Sequence, residues 1–145
     1  MEVYTIGFAK KRAVDFFVPL RNVGVQRLLD VRLNNTSQLA RFTKKDDLPF
    51  LLREICGAEY VHEPLLAPTR EILDTYRSGG GSWEEYEIHF LRLMEERRIE
   101  ECLDHNLFRG RTALLCSEPT AERCHRRLVL EYLQARWGDI QVTHL

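Results

Sequence analysis

The sequence predicts one α/β domain over residues 1–145, a Rossmann-like three-layer sandwich with a mostly parallel sheet of about five strands. Two observations support this fold class. Short β-favouring runs alternate with longer segments whose apolar residues recur at helical spacing, and strands that alternate with helices form parallel sheets covered on both faces. The length of 145 residues also lets one domain bury a sizeable core.

Composition excludes several classes of protein. The hydrophobic fraction of 44% and the charged fraction of 30% are ordinary for a globular protein. The net charge of −1 argues against a protein that coats nucleic acid through its overall field. No apolar run reaches the length of a membrane span, and no signal-peptide pattern is visible, so we expect a cytoplasmic protein without a membrane partner. We expect free thiols there at Cys56, Cys102, Cys116 and Cys124.

The first half of the chain predicts three strands separated by two helices. The strands are expected at residues 2–8, 26–31 and 58–62. The helices are expected at residues 12–22 and from Asp46 or Asp47 to just before Gly57. Pro19 should kink the first helix or move its start later. The polar stretch 33–45 is long for a connection, so it could fold over a site, although a solvated loop fits nearly as well.

The second half predicts helices on both sides of a fourth strand. The helices before it are expected at residues 69–77, at 83 to about 97 and at 99–108. The fourth strand is expected at residues 111–116, followed by a helix that ends near Trp137 and a last strand at 140–145. Ser82 should cap the second of these helices, and Tyr86 and Phe90 are assigned to the core. The three glycines before Ser82 lack the context of a phosphate-binding loop.

Polar residues or glycine stand at the carboxyl ends of four predicted strands. They are Gly7, Asp30 with Arg32, His62, and Cys116 with Glu118. If the strands are parallel, all of them lie on one edge of the sheet, where ligands bind in open α/β folds. This convergence predicts a site at that edge.

Each of these residues also has a structural interpretation. Gly7 is more easily explained as a turn residue than as a point of close backbone approach. Asp30 and Arg32 share a face and could orient a ligand, but a surface ion pair fits equally well. His62 is more often a structural residue than a catalytic one. A buried ion network that includes Glu118 and Arg126 would explain the same charges without a ligand.

The stretch from Ala113 to Arg127 carries the most reactive groups. A strand ends at Cys116, a short turn through Pro119 and Thr120 follows, and a helix then carries in its first turns Cys124, His125 and Arg126. The free N–H groups and positive dipole of a helix N-terminus, together with the arginines, suit an anionic group.

Three mechanisms are open at such a site. In the one we favour, Glu118 and His125 act as general base and acid, and no metal takes part. The substrate-binding residues would then be Asp30, Arg32, His62, Cys116 and Arg126. Arginine would neutralise the charge of the substrate, and Asp30 would orient it.

The other two mechanisms use the cysteines. Cys116 could be a nucleophile, but its spacing to Arg123 is one residue too long for the Cys-x5-Arg loop of phosphatases and rhodaneses. Zinc could be held by Cys116, Cys124, His125 and His62, but neighbouring residues on a helix point in different directions. Both cysteines therefore resemble packing residues more than a nucleophile or metal ligands, although Cys116 is still expected to border the substrate.

Four motifs resemble those of one known family. They are Tyr4-Thr5-Ile6-Gly7, Leu29-Asp30-Val31-Arg32, Tyr60-Val61-His62, and Leu115-Cys116-Ser117-Glu118 with Cys124-His125-Arg126. Taken in order over nearly the whole chain, they resemble the domain-of-unknown-function family 488, and the last block is the most specific. The resemblance implies an α/β fold with a shared site at these positions. It implies no reaction, because the family has no settled activity.

The chain departs from the family pattern at three turns. Phe8-Ala9 stands where the family usually has His and a small polar residue, and Asn34 stands in a segment where Pro is common. Leu66-Ala67-Pro68 replaces a Leu-Gly-Gly turn. These departures bear on whether the chain retains the family's activity.

The residues together predict an enzyme, a hydrolase or a transferase, that uses acid/base chemistry on an anionic substrate. A phosphate-bearing molecule, such as a nucleotide or a nucleic-acid end, is the expected ligand. The alternative is a non-catalytic module that binds a nucleotide or nucleic acid through the same edge. The sequence assigns no cofactor and no oligomeric state.

Overall fold

Five parallel strands form a single sheet at the centre of the fold in the computed structural model, which describes residues 1–36, 38–118 and 120–145. The strands are β1 Glu2–Gly7, β2 Arg27–Asp30, β3 Glu59–His62, β4 Thr112–Cys116 and β5 Gln141–His144. Their order is β3-β2-β4-β1-β5, and every neighbouring pair is parallel. The predicted α/β class with a parallel sheet is confirmed.

The register aligns the carboxyl ends of four strands. Gly7 of β1 pairs with Cys116 of β4, and Asp30 of β2 pairs with His62 of β3 on one side. On its other side Asp30 pairs with Leu115, the residue before Cys116. The polar strand ends identified in the sequence therefore lie on one edge of the sheet.

Six α-helices cover the two faces of the sheet. They are α1 Ala13–Asn22, α2 Leu48–Cys56, α3 Arg70–Arg77, α4 Trp83–Glu96, α5 Ile99–Cys102 and α6 His125–Trp137. Single 3-10 segments occupy Gln38–Thr43, Pro64–Leu66 and His105–Phe108. None of the helices in the described ranges is long and apolar enough to cross a membrane.

Two hydrophobic cores follow from the alternation of side chains along the strands. Leu28 and Leu115 point into the core beneath α1 and α2, where Phe16 is fully buried. Leu29 points to the opposite core, where α4 contributes Phe90. Burying a Leu or Phe side chain stabilises the fold by roughly 1.5–3 kcal/mol, so both faces of the sheet contribute.

Several element boundaries differ from the sequence predictions. Pro19 lies inside α1, which still begins at Ala13, so the proline does not delay the start of the helix. The helical stretch 99–108 is broken after α5 because Asp104 is extended and its side chain accepts a hydrogen bond from the Asn106 N–H at 2.9 Å. The caps at Ser82 and Gly57 are confirmed, since Ser82 accepts from the Glu85 N–H and Gly57 has φ 63°.

The helix after β4 begins later than predicted. Cys124 is the extended N-cap residue of α6, with φ −142° and ψ 138°, and the first helical residue is His125. Pro119, in the predicted turn, lies outside the described residues, as does Ser37 in the polar stretch 33–45. The described part of that stretch holds the 3-10 segment Gln38–Thr43, which is interrupted at Arg41 with φ 51°.

Candidate functional site

A cavity of about 80 Å³ lies at the carboxyl edge of the sheet. A water needs roughly 10–15 Å³ of such space, so the cavity has room for a phosphate group or a planar ring. Four of the predicted site residues line it, namely Arg32, Cys116, Glu118 and His125. Residues from α3, α4 and the turn before α6 complete the walls: Tyr76, Arg77, Trp83, Tyr86, Arg123 and Cys124 are among them.

One wall of the cavity is aromatic. The rings of Trp83 and Tyr86 are stacked with centroids 5.1 Å apart, and Tyr76 lies 5.1 Å from Tyr86 and 5.8 Å from Trp83. Such pairs add about 0.5–1.5 kcal/mol beyond the area that they bury. Burial raises the pKa of Tyr86 well above its usual value, so its hydroxyl stays protonated.

The rim of the cavity carries positive charge. Arg77 ends α3, and its Nη2 lies 3.8 Å from Oε1 of Glu118, whose side chain is 48% exposed. An exposed ion pair at this distance contributes little to the stability of the fold. Arg123 is exposed on the turn before α6. Arg77 is not identifiable from the sequence, because helical periodicity shows which face of a helix is buried and not which helix end borders a cavity.

Arg126 is a fully buried guanidinium behind the cavity wall. Its Nη1 donates to the Glu118 carbonyl at 2.7 Å and lies 3.1 Å from the sulfur of Cys116 and 3.7 Å from that of Cys124. Within the described ranges, Nε and Nη2 have no hydrogen-bond partner. Burial lowers the pKa of Arg126 to about 10, so the group is a buried cation at neutral pH with an incomplete set of acceptors.

The sulfurs of Cys116 and Cys124 lie in direct contact, and their Cα atoms are 7.7 Å apart, wider than the roughly 4.4–6.8 Å of an ordinary disulfide. The expectation of free thiols is confirmed for Cys56 and Cys102, whereas Cys116 and Cys124 lie close enough to pair with each other. The pairing arises because the extended N-cap conformation of Cys124 turns its side chain towards the end of β4. The sequence does not indicate this contact, because it depends on the residue at which α6 begins.

His125 is a neutral histidine in the cavity wall. Its Nε2 lies 2.7 Å from the Val31 carbonyl, which can only accept a hydrogen bond, so Nε2 carries the proton and Nδ1 the lone pair. The ring also packs against Phe90 with centroids 5.4 Å apart. Burial lowers the pKa of His125 to about 4, because this effect is larger than the opposing effect of the hydrogen bond to Val31. The ring is therefore neutral at neutral pH, with a lone pair on Nδ1 and its one N–H proton directed at the Val31 carbonyl.

The donor atoms of Cys116, Cys124 and His125 all lie within 4.8 Å of one another. The expectation that Cys124 and His125 point in different directions is wrong, because Cys124 precedes the helix and does not follow its spacing. Two sulfurs and an imidazole are ligands that suit zinc, but only thiolates bind the metal. Reduction of the disulfide is therefore a precondition for any metal at this set.

Asp30 and Arg32 form a buried ion pair with side-chain exposures of 0% and 3%. The carboxylate accepts from Nε at 2.8 Å and from Nη2 at 2.9 Å, a bidentate geometry. Arg32 also donates to the hydroxyl of Thr43 at 2.9 Å and to its carbonyl at 2.6 Å. The interpretation as a surface ion pair is wrong, because both side chains are buried and Thr43, in the described part of the stretch 33–45, packs against Arg32.

Tyr60, Asn35 and His62 complete a network around that pair. The Tyr60 hydroxyl donates to Asp30 at 2.5 Å and accepts from Asn35 at 3.0 Å. Burial and the bond to Asp30 raise the pKa of Tyr60. His62 Nε2 donates to the Arg32 carbonyl at 2.9 Å. These residues hold Arg32 in place, and neither Asp30 nor His62 is among the residues that line the cavity.

Gly7 marks a close crossing of the backbone. A Cβ atom at this position would lie 1.5 Å from the carbonyl oxygen of Glu118 and 2.9 Å from Nη1 of Arg126. The loop after β4 therefore passes directly over the end of β1, and only glycine leaves room for it. Of the two interpretations of Gly7, the close approach is the one that the structure supports.

The profile of the family described as "Domain of unknown function DUF488" matches residues 12–133 of the chain. The chain belongs to the DUF488 family. No curated protein and no solved structure gives a significant match. The matched range of this DUF488 protein contains every cavity residue and excludes Gly7.

All three departures from the family pattern lie at or beside the cavity. Phe8 is 8% exposed, and its ring lies 5.4 Å from the guanidinium carbon of Arg32. Asn34 lines the cavity. Ala67 is buried and its carbonyl accepts from Arg97 at 2.7 Å. Two of the departures, at Asn34 and Pro68, are thus part of the cavity wall, and the one at Phe8 packs against Arg32 of that wall.

Proposed function

We propose that this DUF488 protein is a cytoplasmic enzyme, a hydrolase or transferase, that acts by proton transfer on an anionic, phosphate-bearing substrate such as a nucleotide or nucleic-acid end. The observation that carries the proposal is the cavity at the carboxyl edge of the sheet. It combines a cationic rim, an aromatic wall and a neutral histidine in a space that fits a phosphate or a base.

Arg77 and Arg123 are the residues that bind the charge of the substrate in this proposal. Arg32 also lines the cavity, but its guanidinium already donates to Asp30 and Thr43. We therefore assign Arg32 and Asp30 to positioning the loop that follows β2. The rings of Tyr76 and Trp83 offer a surface against which a planar base can stack.

His125 takes the role of general base. Its Nδ1 carries a lone pair at neutral pH, and the bond from Nε2 to Val31 fixes the orientation of the ring. Glu118 stands at the rim, where its exposed carboxyl group can exchange protons with solvent and substrate. This reverses the expected division of roles, in which His125 supplies the proton.

Binding can be measured through the fluorescence of Trp83. The chain has two tryptophans, so the Trp137→Phe variant leaves Trp83 as the single emitter. We expect adenosine 5′-monophosphate and 5′-phosphorylated oligonucleotides to quench it saturably. Arg77→Ala should weaken binding roughly tenfold or more, whereas Arg53→Ala, which removes an exposed arginine from α2, should not. Equal affinity in both variants contradicts the assignment of the rim.

Turnover is tested with the same ligands by chromatographic detection of products. His125→Gln should slow the reaction by roughly a hundredfold or more, and Glu118→Gln should also slow it. The matched controls are His89→Gln and Glu122→Gln, which change exposed residues. Saturable binding without any product would favour the non-catalytic binding module over the enzyme.

A further inference from the structure

We infer that Cys116 and Cys124 form a redox-active dithiol that reduces low-molecular-weight disulfides, an activity separate from the proton-transfer reaction proposed above. Both cysteines line the cavity, and each residue as a whole is only 1% or 2% exposed. The cavity is therefore the side from which a small molecule would approach the sulfurs. Cys56 and Cys102 lie outside it.

The surroundings of the pair favour a thiolate. Nη1 of Arg126 lies 3.1 Å from the sulfur of Cys116, and the same guanidinium has unpaired N–H groups at Nε and Nη2 within the described ranges. A buried cation in this state needs an anion, and a thiolate supplies one. In the disulfide form the sulfurs are neutral, so Arg126 has no anionic partner among the contacts that it makes.

The two cysteines have different surroundings. Cys116 lies closer to Arg126, so its thiolate is the attacking group. Cys124 is the N-cap of the 13-residue helix α6. The positive end of this helix favours a thiolate at Cys124 when Arg126 is already paired with the Cys116 thiolate. Cys124 is therefore the resolving thiol.

The reaction has two exchange steps. The Cys116 thiolate attacks one sulfur of a disulfide R–S–S–R, a Cys116–S–R bond forms, and R–S⁻ leaves and takes a proton from water. Cys124 then loses its proton to solvent and attacks the Cys116 sulfur, forming the Cys116–Cys124 disulfide and releasing the second R–S⁻. Two electrons pass from the protein dithiol to the small disulfide, which is reduced to two thiols.

The arginines at the rim suit an anionic small disulfide. Oxidised glutathione carries carboxylates that Arg77 and Arg123 can attract while its sulfurs enter the cavity. It also serves as the test reagent. In a reducing compartment a disulfide of this kind is turned over and does not persist as a permanent crosslink.

The test starts from the full chain reduced with a phosphine, which is then removed. Oxidised glutathione is added, and intact-mass spectrometry with maleimide labelling follows the thiols. Wild type should lose two thiols and retain no glutathione, and the double variant Cys56→Ser/Cys102→Ser should lose both of its thiols. Cys124→Ser should hold one glutathionyl group on Cys116, and Cys116→Ser should lose the rapid reaction.

Three results would overturn the inference. Modification confined to Cys56 and Cys102 would show that the buried pair is not reactive. Unfolding of wild type on reduction, seen by circular dichroism, would make the disulfide a structural crosslink. Stoichiometric zinc held by Cys116 and Cys124 in the reduced protein, with no reaction towards glutathione, would make them metal ligands.

Discussion

Nη1 of Arg126 lies 3.1 Å from the sulfur of Cys116, and both residues are buried to within 1% of complete exclusion from solvent. A buried guanidinium is compensated when the neighbouring sulfur is a negatively charged thiolate and is not compensated when the sulfur is neutral. The oxidation state of the cysteines therefore sets how well the cation is compensated.

The variant Arg126→Met tests this coupling. We expect it to destabilise the reduced protein by about 1–3 kcal/mol more than the oxidised protein, because only the reduced form offers a thiolate to the guanidinium. The measurement is urea unfolding with and without reductant. Arg136→Met, at the partly exposed end of the same helix, should cost the same in both states. Equal effects of Arg126→Met in both states would contradict the pairing.

The second prediction concerns the buried pair Asp30–Arg32. Asp30→Asn should lower the free energy of unfolding by roughly 3–5 kcal/mol, because it leaves the Arg32 cation buried without its partner. Asp15→Asn breaks the exposed pair with Arg12 and should cost about 1 kcal/mol or less. Urea unfolding of the two variants measures the difference. A similarly small loss of unfolding free energy in both variants would mean that burial does not strengthen the Asp30–Arg32 pair.

The third prediction follows from the lowered pKa of His125. Its value of about 4 in the folded protein lies below the value of about 6.5 expected in the unfolded chain, so the unfolded state binds more protons between these values. The contribution of the buried neutral His125 ring to the free energy of unfolding is fully present above pH ~6.5 and is lost as the pH falls towards 4. The loss amounts to at most about 3 kcal/mol.

The pH dependence can be isolated with His125→Gln, which keeps a donor for Val31 but does not titrate. The difference in unfolding free energy between wild type and this variant should be constant above pH ~6.5 and should shrink as the pH falls. The control variant is His89→Gln, which changes an exposed histidine on α4. A difference that does not change with pH for His125→Gln would show that the ring is not buried in a neutral state.

The fourth prediction concerns the close crossing at Gly7. Gly7→Ala should destabilise the protein by about 1–3 kcal/mol and also weaken ligand binding, because the new methyl group displaces the Glu118 carbonyl from Arg126. Gly57→Ala changes a glycine with φ +63° and open space around it. It should cost about 1–2 kcal/mol without affecting binding. Normal binding by Gly7→Ala would show that the loop can move without consequence.

The edge of the sheet that carries the site could be predicted because parallel strands place their carboxyl ends together. The alternation of strands and helices therefore predicts that one edge of the sheet carries Asp30, His62 and Cys116. The burial of Asp30 with Arg32 could not be predicted, because it depends on the fold of a polar connection without hydrophobic periodicity. The helical periodicity of α4 predicted that Tyr86 lies in the core, but it did not indicate that Tyr86 also borders a cavity.

The cysteine pair could not be predicted for a different reason. Its geometry depends on a single backbone conformation, the extended N-cap of Cys124, and the sequence predicted a helix that already included this residue. A shift of the helix start by one residue changes the direction of a side chain by about 100°. Reactive groups at a helix N-terminus are thus sensitive to the least predictable part of a helix.

The most direct test of the proposed site is a crystal structure of the protein with adenosine 5′-monophosphate. We predict that the phosphate lies between Arg77 and Arg123 and that the base contacts Tyr76 or Trp83, with Nδ1 of His125 facing the ligand. A nucleotide bound elsewhere on the surface, with this cavity still occupied only by water, would contradict the account.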